Sequence, residues 1–187
     1  FISEATKVCK KIFYIDCNRS SEVFINALNG KYYRIIKDIT SPEALVLNPL
    51  SLPNNEENIN FLSNWIKSLV SYQDMFVPLG ETETPLQTLC NKIPEKLKAS
   101  IGNLKTLTDV LNLFNTEETK LIYNKLLTWT KSGNLGFLFD NENEIDFTQN
   151  IIGVDIGPIM KNEAILAPFA NYIFQKLFTL ADGQPCI

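Results

Sequence analysis

Histidine is absent from all 187 residues. That removes Ser-His-Asp and Cys-His nucleophiles and every histidine-bearing metal site from this chain. The four cysteines, Cys9, Cys17, Cys90 and Cys186, are too far apart for a C-x-x-C pair. A chain of this length folds without disulfides, so they read as reduced thiols packed as small hydrophobes. No apolar run approaches the roughly 18 residues needed to span a bilayer, and no basic-then-apolar leader opens the sequence. The sequence is therefore expected to be soluble and cytoplasmic. Lys+Arg 17 against Asp+Glu 21 leaves a net charge of -4, with no block of like charge to neutralise a run of phosphates. Direct nucleic-acid binding is not predicted.

A phosphate-cradling loop is missing too. It needs G-x-x-x-x-G-K-S/T, so that backbone amides, a lysine and a metal-holding hydroxyl converge on the phosphates. Gly30-Lys31 comes nearest, but Ile25 stands where the first glycine belongs and Tyr32 where the hydroxyl belongs. That stretch reads as a helix stop.

What is present suits one α/β unit, with 45% of residues apolar. Ile2 to Val8 reads as the end of a helix. Lys11 to Asp16 is a continuous apolar run closed by an acid, the pattern of a strand buried on both faces. Asn18 or Ser20 is placed to cap a helix over Ser21 to Asn29, with Gly30 as its left-handed stop, and a strand follows over Tyr32 to Ile36. Strand, helix and strand in that order imply a parallel crossover. A loop with Pro42, Pro49 and Pro53 comes next, interrupted by the apolar run Ala44 to Leu47.

From Glu57 the period becomes helical, with Leu62, Trp65, Ile66 and Leu69 on one face. Short helices are expected over Pro85–Ile93, Pro94–Ile101 and Thr106–Phe114, with the prolines in permitted first-turn positions. Asn115-Thr116-Glu117-Glu118 reads as a capping box for a further helix that Gly133 ends. These helices are too short to stand alone. Trp65, Ile66, Leu111, Phe114, Ile122, Leu126 and Trp129 are expected to form a shared core. Asn150 to Asp155 repeats the buried strand closed by an acid, and Leu166 to Leu180 carries a last helix in which Pro168 either sits in the first turn or makes a kink. Asp182-Gly183 stops that helix, and Pro185-Cys186-Ile187 reads as the start of a strand.

Asp16 and Asp155 are the candidate pocket residues, since ligands of open parallel sheets collect at the carboxyl ends of the strands. The alternative for each is a capped strand end. The parallel arrangement predicts both at one edge of the sheet. Asp140 to Asp146 lacks the glycine and the terminal glutamate of a calcium loop and reads as a solvated acidic turn. Asn18-Arg19-Ser20 matches a glycosylation sequon by chance.

Ile15-Asp16-Cys17-Asn18-Arg19-Ser20, Ala27-Leu28-Asn29-Gly30-Lys31-Tyr32 and Leu47-Asn48-Pro49-Leu50 resemble, in order and spacing, the CagE/TrbE/VirB family of type IV secretion and conjugation ATPases. Gly133-Asn134-Leu135-Gly136-Phe137-Leu138-Phe139-Asp140-Asn141 is similar to that family's Gly-x-Leu-Gly-x-Leu-Phe-Asp-Asn signature. Ile152-Gly153-Val154-Asp155 and the helix closing on Asp182-Gly183 continue the likeness. The sequence departs from the family at Asn18 and Ser20, which replace a second acid and a glycine in the Asp16 motif.

The resemblance implies an α/β fold: part of a RecA-like P-loop NTPase domain with parallel strands and an inserted all-helical subdomain. On that reading residues 1–55 and 133–187 are α/β segments and 56–132 the helical insertion. It implies an internal fragment of a hexameric motor that uses ATP and Mg2+ when intact. The P-loop would lie upstream of this chain and the magnesium-binding Asp-Glu downstream. Its partners would be further copies and other secretion components, at the cytoplasmic face of the bacterial inner membrane. Asp16, Arg19 and Asp155 are the pocket-edge residues the resemblance offers, with no metal ligand and no catalytic residue inside the chain. Two other readings stand beside it. One is a non-catalytic interaction module of a secretion complex. The other is a doubly wound nucleotide or flavin protein, which would need a phosphate loop or glycine-rich turn.

Overall fold

The computed structural model describes residues 4, 7, 9, 11–71 and 85–181. The helix end expected over Ile2–Val8, apart from Glu4 and Lys7, lies outside them. So do Asp182-Gly183, the strand expected at Pro185–Ile187, and Cys186. The protein is a mixed α/β structure around a three-stranded parallel sheet. Strand β1 (Ile12–Asp16) is followed by the short helix α1 (Glu22–Ala27) and β2 (Lys31–Arg34). Among the described residues five helices come next: α2 (Glu56–Ser71), α3 (Pro85–Cys90), α4 (Ile93–Ser100), α5 (Leu107–Asn112) and α6 (Lys120–Leu127). The single-turn α7 (Gly136–Phe139), β3 (Ile151–Asp155) and α8 (Glu163–Ala181) complete the described chain.

The strand order is β1-β3-β2. The first two strands are parallel but not neighbours, because β3 enters between them and pairs with both. Every residue of β3 is buried, as a central strand covered on both faces requires. Ile25 of α1 covers one face, making a small core with Ile12, Tyr32 and Ile151. On the other face Ile152 and Val154 join a large core that includes Phe169 and Ile173 of α8.

That large core also holds the seven residues expected to pack the helical stretch, Trp65, Ile66, Leu111, Phe114, Ile122, Leu126 and Trp129. Phe139 is the hub. Its ring meets Trp65 edge-on at 5.1 Å, Tyr172 edge-on at 6.4 Å and Trp129 at 6.0 Å. The amphipathic face of α2 is thus buried against α7 and α8 as well as against its helical neighbours, and Trp65 Nε1 donates to the Pro168 carbonyl at 2.8 Å. Pro168 lies inside α8, beyond its first turn.

Several local expectations are corrected. The left-handed residue after α1 is Asn29, with φ 58°, where Gly30 was expected. Gly30 instead supplies space, since a Cβ there would stand 2.8 Å from Ile25 Cγ2 and 3.0 Å from Ile151 Cβ. Ser21 precedes α1, and no side chain caps the helix. The capping box belongs to Thr106 and Asp109 at the start of α5, while the Asn115–Glu118 stretch enters a single 3-10 turn with no side-chain cap. Thr106 wins because its extended backbone (φ -139°, ψ 163°) puts its hydroxyl opposite the Asp109 amide. Helix α6 ends at Leu127, and Gly133 lies in the turn beyond it, where a Cβ would stand 2.3 Å from the Leu127 carbonyl oxygen.

The largest correction concerns the acidic turn. Asp140 is fully buried and Asn141 nearly so. The Asp140 carboxylate accepts from the Thr108 amide at 2.8 Å, the Thr108 hydroxyl and the Lys131 amide at 2.6 Å. Asn141 donates to the carbonyls of Leu47 and Phe137, both at 3.2 Å. Asn48 donates to the carbonyls of Lys105 and Glu142. The motifs around Asn48 and Asp140 are therefore interior polar ties that fasten the helical stretch to the loops beside the sheet. Burying such groups is tolerable only because each is answered by a partner.

Candidate functional site at the carboxyl edge of the sheet

Parallel strands present their carboxyl ends together, and here that end is a row of charge. Asp16 of β1 is the register partner of Asp155 of β3, and Asp155 is the partner of Arg34 of β2. The two predicted aspartates do share one edge.

Asp16 is 5% exposed and meets five donors. The Cys17 amide donates at 2.7 Å, the Ser21 amide at 2.8 Å and the Ser21 hydroxyl at 2.7 Å. The hydroxyls of Ser20 and Tyr32 complete the set. Burial opposes its ionisation, but the Ser20, Tyr32 and Ser21 donors outweigh that penalty and hold the carboxyl well below the usual carboxylate range. The same burial, with the Asp16 carboxylate beside it, pushes the Tyr32 phenol up.

Tyr32 reaches Asp16 from the far edge strand, across β3. The residue it crosses is Gly153, its register partner, where a Cβ would lie 2.7 Å from the Tyr32 ring and 2.3 Å from Ile25 Cδ1. Glycine in a strand interior marks such a close approach.

Asp155 takes the Asn18 amide at 3.1 Å and the Gly157 amide at 2.9 Å. This ties the β1–α1 turn to the end of β3. Within that turn Asn18 and Arg19 both adopt left-handed backbone, φ 60° and 61°. Asparagine tolerates this; arginine pays about 1–2 kcal/mol. Arg19 is held there by a two-pronged pair with Glu22, Nε–Oε2 at 2.5 Å and Nη2–Oε1 at 3.0 Å. The guanidinium keeps the Glu22 carboxyl ionised to lower pH than usual.

These contacts decide what the aspartates can do. Asp16 has its oxygens committed to its own turn and to the Tyr32 hydroxyl, and Asp155 Oδ1 to two amides, so the pair does not fit a magnesium ion. Among the described residues there is no group of three or more metal-ligating side chains. What the edge offers outward is guanidinium. Arg34 sits on the same face as Tyr32, with Nη1 3.4 Å from Glu43 Oε2. Sequence reasoning found Asp16, Arg19 and Asp155 but passed over Ser20, Ser21, Tyr32, Gly153 and Arg34. One signal was available: the chain has two arginines in all, Arg19 and Arg34, and both come to this edge.

No family model matches the chain. Curated proteins do. The type IV secretion system protein virB4 of Bartonella henselae is 28% identical over 180 residues, 93% of this chain. The type IV secretion system protein PtlC of Bordetella pertussis is 26% identical over 179 residues, 91% of this chain. The chain is a homologue of the VirB4 and PtlC proteins. It spans 21% of the length of each of these two relatives. The solved structure of VirB4 from Thermoanaerobacter pseudethanolicus superposes with a TM-score of 0.61 over 97% of this chain and 72% of that one, at 13% identity. The VirB4 fold is thus shared. The family resemblance read from the ordered motifs is borne out.

Proposed function

We propose that this VirB4/PtlC homologue is part of the ATPase domain of a type IV secretion motor, and that its sheet edge at Asp16, Arg19 and Asp155 forms the rim of the nucleotide pocket. The observation that carries this is the side-by-side placement of the two aspartates at the carboxyl end of a parallel sheet, where ligands of such sheets bind. In the intact protein the cofactors are ATP and Mg2+, with the phosphate loop and the magnesium-binding Asp-Glu supplied from outside this chain. Bound there, the nucleotide supplies the free energy of its terminal phosphoryl bond. This chain's own residues shape the rim: Asp16 fixes the turn, Asp155 joins it to β3, and Arg19 is the group the turn presents.

On the same reading the intact protein is RecA-like and assembles as a homo-oligomer, a hexamer, at the cytoplasmic side of the inner membrane. Other secretion components contact it there, and the helical insertion, residues 56–132, is the contact surface. That no described helix is long and apolar enough to cross a membrane fits a peripheral placement.

The test uses the intact parent. It should hydrolyse Mg-ATP, and Arg19→Ala should lower kcat at least about tenfold, the scale of a lost charge-stabilising contact, without loss of nucleotide binding. An unchanged kcat would remove Arg19 from the pocket. A second reading, a non-catalytic interaction module, is favoured by the saturation of Asp16. It expects no turnover from the intact parent and loss of secretion on deleting residues 56–132.

A further inference from the structure

Among the described residues, one buried side-chain nitrogen or oxygen lacks a hydrogen-bond partner, Arg34 Nε. A buried guanidinium N–H left unanswered is costly and suits an acceptor from outside the chain. Its setting narrows the choice. Arg34 ends β2 beside Asp155, and its side-chain contact to Glu43 is long at 3.4 Å and engages Nη1 rather than Nε. Glu43 is itself about half exposed, free to swing into solvent.

The chain's cations are otherwise all lysine, so placing its two arginines at this edge selects for fork geometry rather than mere charge. Arg19 already shows that geometry on Glu22. The four groups share one field: the Arg19–Glu22 pair is the main influence on both of its members, Arg34 adds to the ionisation of Glu22, and Glu43 adds to the charge of Arg19.

We propose that Arg34, with Arg19 beside it, is an oxyanion site for a phosphate group, and that Glu43 is a stand-in carboxylate holding the Arg34 guanidinium until a phosphate displaces it. The proposal deepens the reading of this edge as a pocket rim and rests on it only for the source of the phosphate. The buried carboxylates oppose an incoming anion. Asp16 and Asp155, however, are turned to amides and hydroxyls of their own chain. The short-range two-pronged N–H contact therefore decides the site.

Two arginines give two Nε–Hε resonances in the 15N-labelled chain, so assignment needs only Arg34→Lys. Inorganic pyrophosphate titrated at constant ionic strength should shift the Arg34 resonance saturably, and sodium chloride should not. Glu43→Gln, which removes the competitor but keeps the shape, should tighten binding about two- to fivefold, the worth of an exposed ion pair. In Arg34→Lys the pyrophosphate response at Arg19 should fall away while the backbone spectrum shows the fold intact. Inorganic phosphate against pyrophosphate and Mg-ATP separates a single phosphate group from a nucleotide chain as the preferred source. No saturable shift in either the wild-type chain or Glu43→Gln overturns the site. Because this readout needs no turnover, it can fail while the intact parent still hydrolyses ATP, and it can succeed while the parent does not.

Discussion

The phenol of Tyr32 on one edge strand hydrogen-bonds the carboxylate of Asp16 on the other, over the top of Gly153 on the strand between them. One contact thus closes the sheet across its width. Tyr32→Phe removes a single donor from an ionised, buried acceptor and should cost about 1.5–3 kcal/mol. The pH dependence has a definite sign. The folded Asp16 carboxyl is depressed, so its contribution is complete above the unfolded value near 4 and is lost as pH falls toward the folded value. Urea denaturation should show a constant gap between wild type and Tyr32→Phe from pH 7 to about 4, narrowing below. A gap that shrinks already between pH 7 and 5 would show that Asp16 is not the partner that matters.

Gly153→Ala puts a methyl group where the Tyr32 ring and Ile25 already are. Overpacking of this kind costs roughly 1–3 kcal/mol. Combining it with Tyr32→Ala should recover part of the loss, because the ring is then gone. Equal losses with and without the ring would place the strain elsewhere.

Asp140→Asn tests the interior tie. The replacement keeps the volume but presents amide hydrogens to donors that need an acceptor, either the Thr108 hydroxyl and the Lys131 amide, at the Oδ2 position, or the Thr108 amide, at Oδ1. Thermal denaturation should report a loss of roughly 3 kcal/mol. A loss under about 0.5 kcal/mol, the ordinary scatter of surface substitutions, would return Asp140 to the solvated turn that the sequence suggested.

Lys176 of α8 is 8% exposed and donates to Glu144 and Ser51, while Tyr172 reaches the same carboxylate at 2.6 Å. Removing the cation alone, in Lys176→Met, leaves Glu144 charged and poorly solvated, at a cost of about 3–5 kcal/mol. The double variant Lys176→Met with Glu144→Leu should be less destabilised than Lys176→Met by itself. Additive losses would mean the pair is wetter than its burial indicates.

Elements whose pattern runs through a whole face were legible in the sequence. The apolar run before Asp16, its repeat before Asp155 and the spacing of Leu62, Trp65, Ile66 and Leu69 each follow from a period that burial imposes. Parallel strands then placed both aspartates at one edge without further information. What stayed hidden depends on contacts between distant segments. Asp140 is far from Thr108 in sequence, so nothing local distinguishes its buried carboxylate from the exposed acid of Glu142 two residues on. The role of Tyr32 required knowing that β3, not β1, is its neighbour. Capping failed for a different reason: several side chains near each helix start were chemically able to cap, and only backbone dihedrals chose among them.

The position of β3 between the other two strands bears on how the chain comes into being. Because β1 and β2 each hydrogen-bond to β3 and not to each other, neither finds this sheet partner until Ile151–Asp155 has been synthesised, after helices α1 to α7. During translation the apolar strand around Ile12 and the α1–β2 segment would wait unpaired while the helices, built from local contacts, form first. Strand β3 therefore converts a set of helices with two separate strands into one sheet. A nascent chain stalled before Ile151 should be open to proteases at both strands.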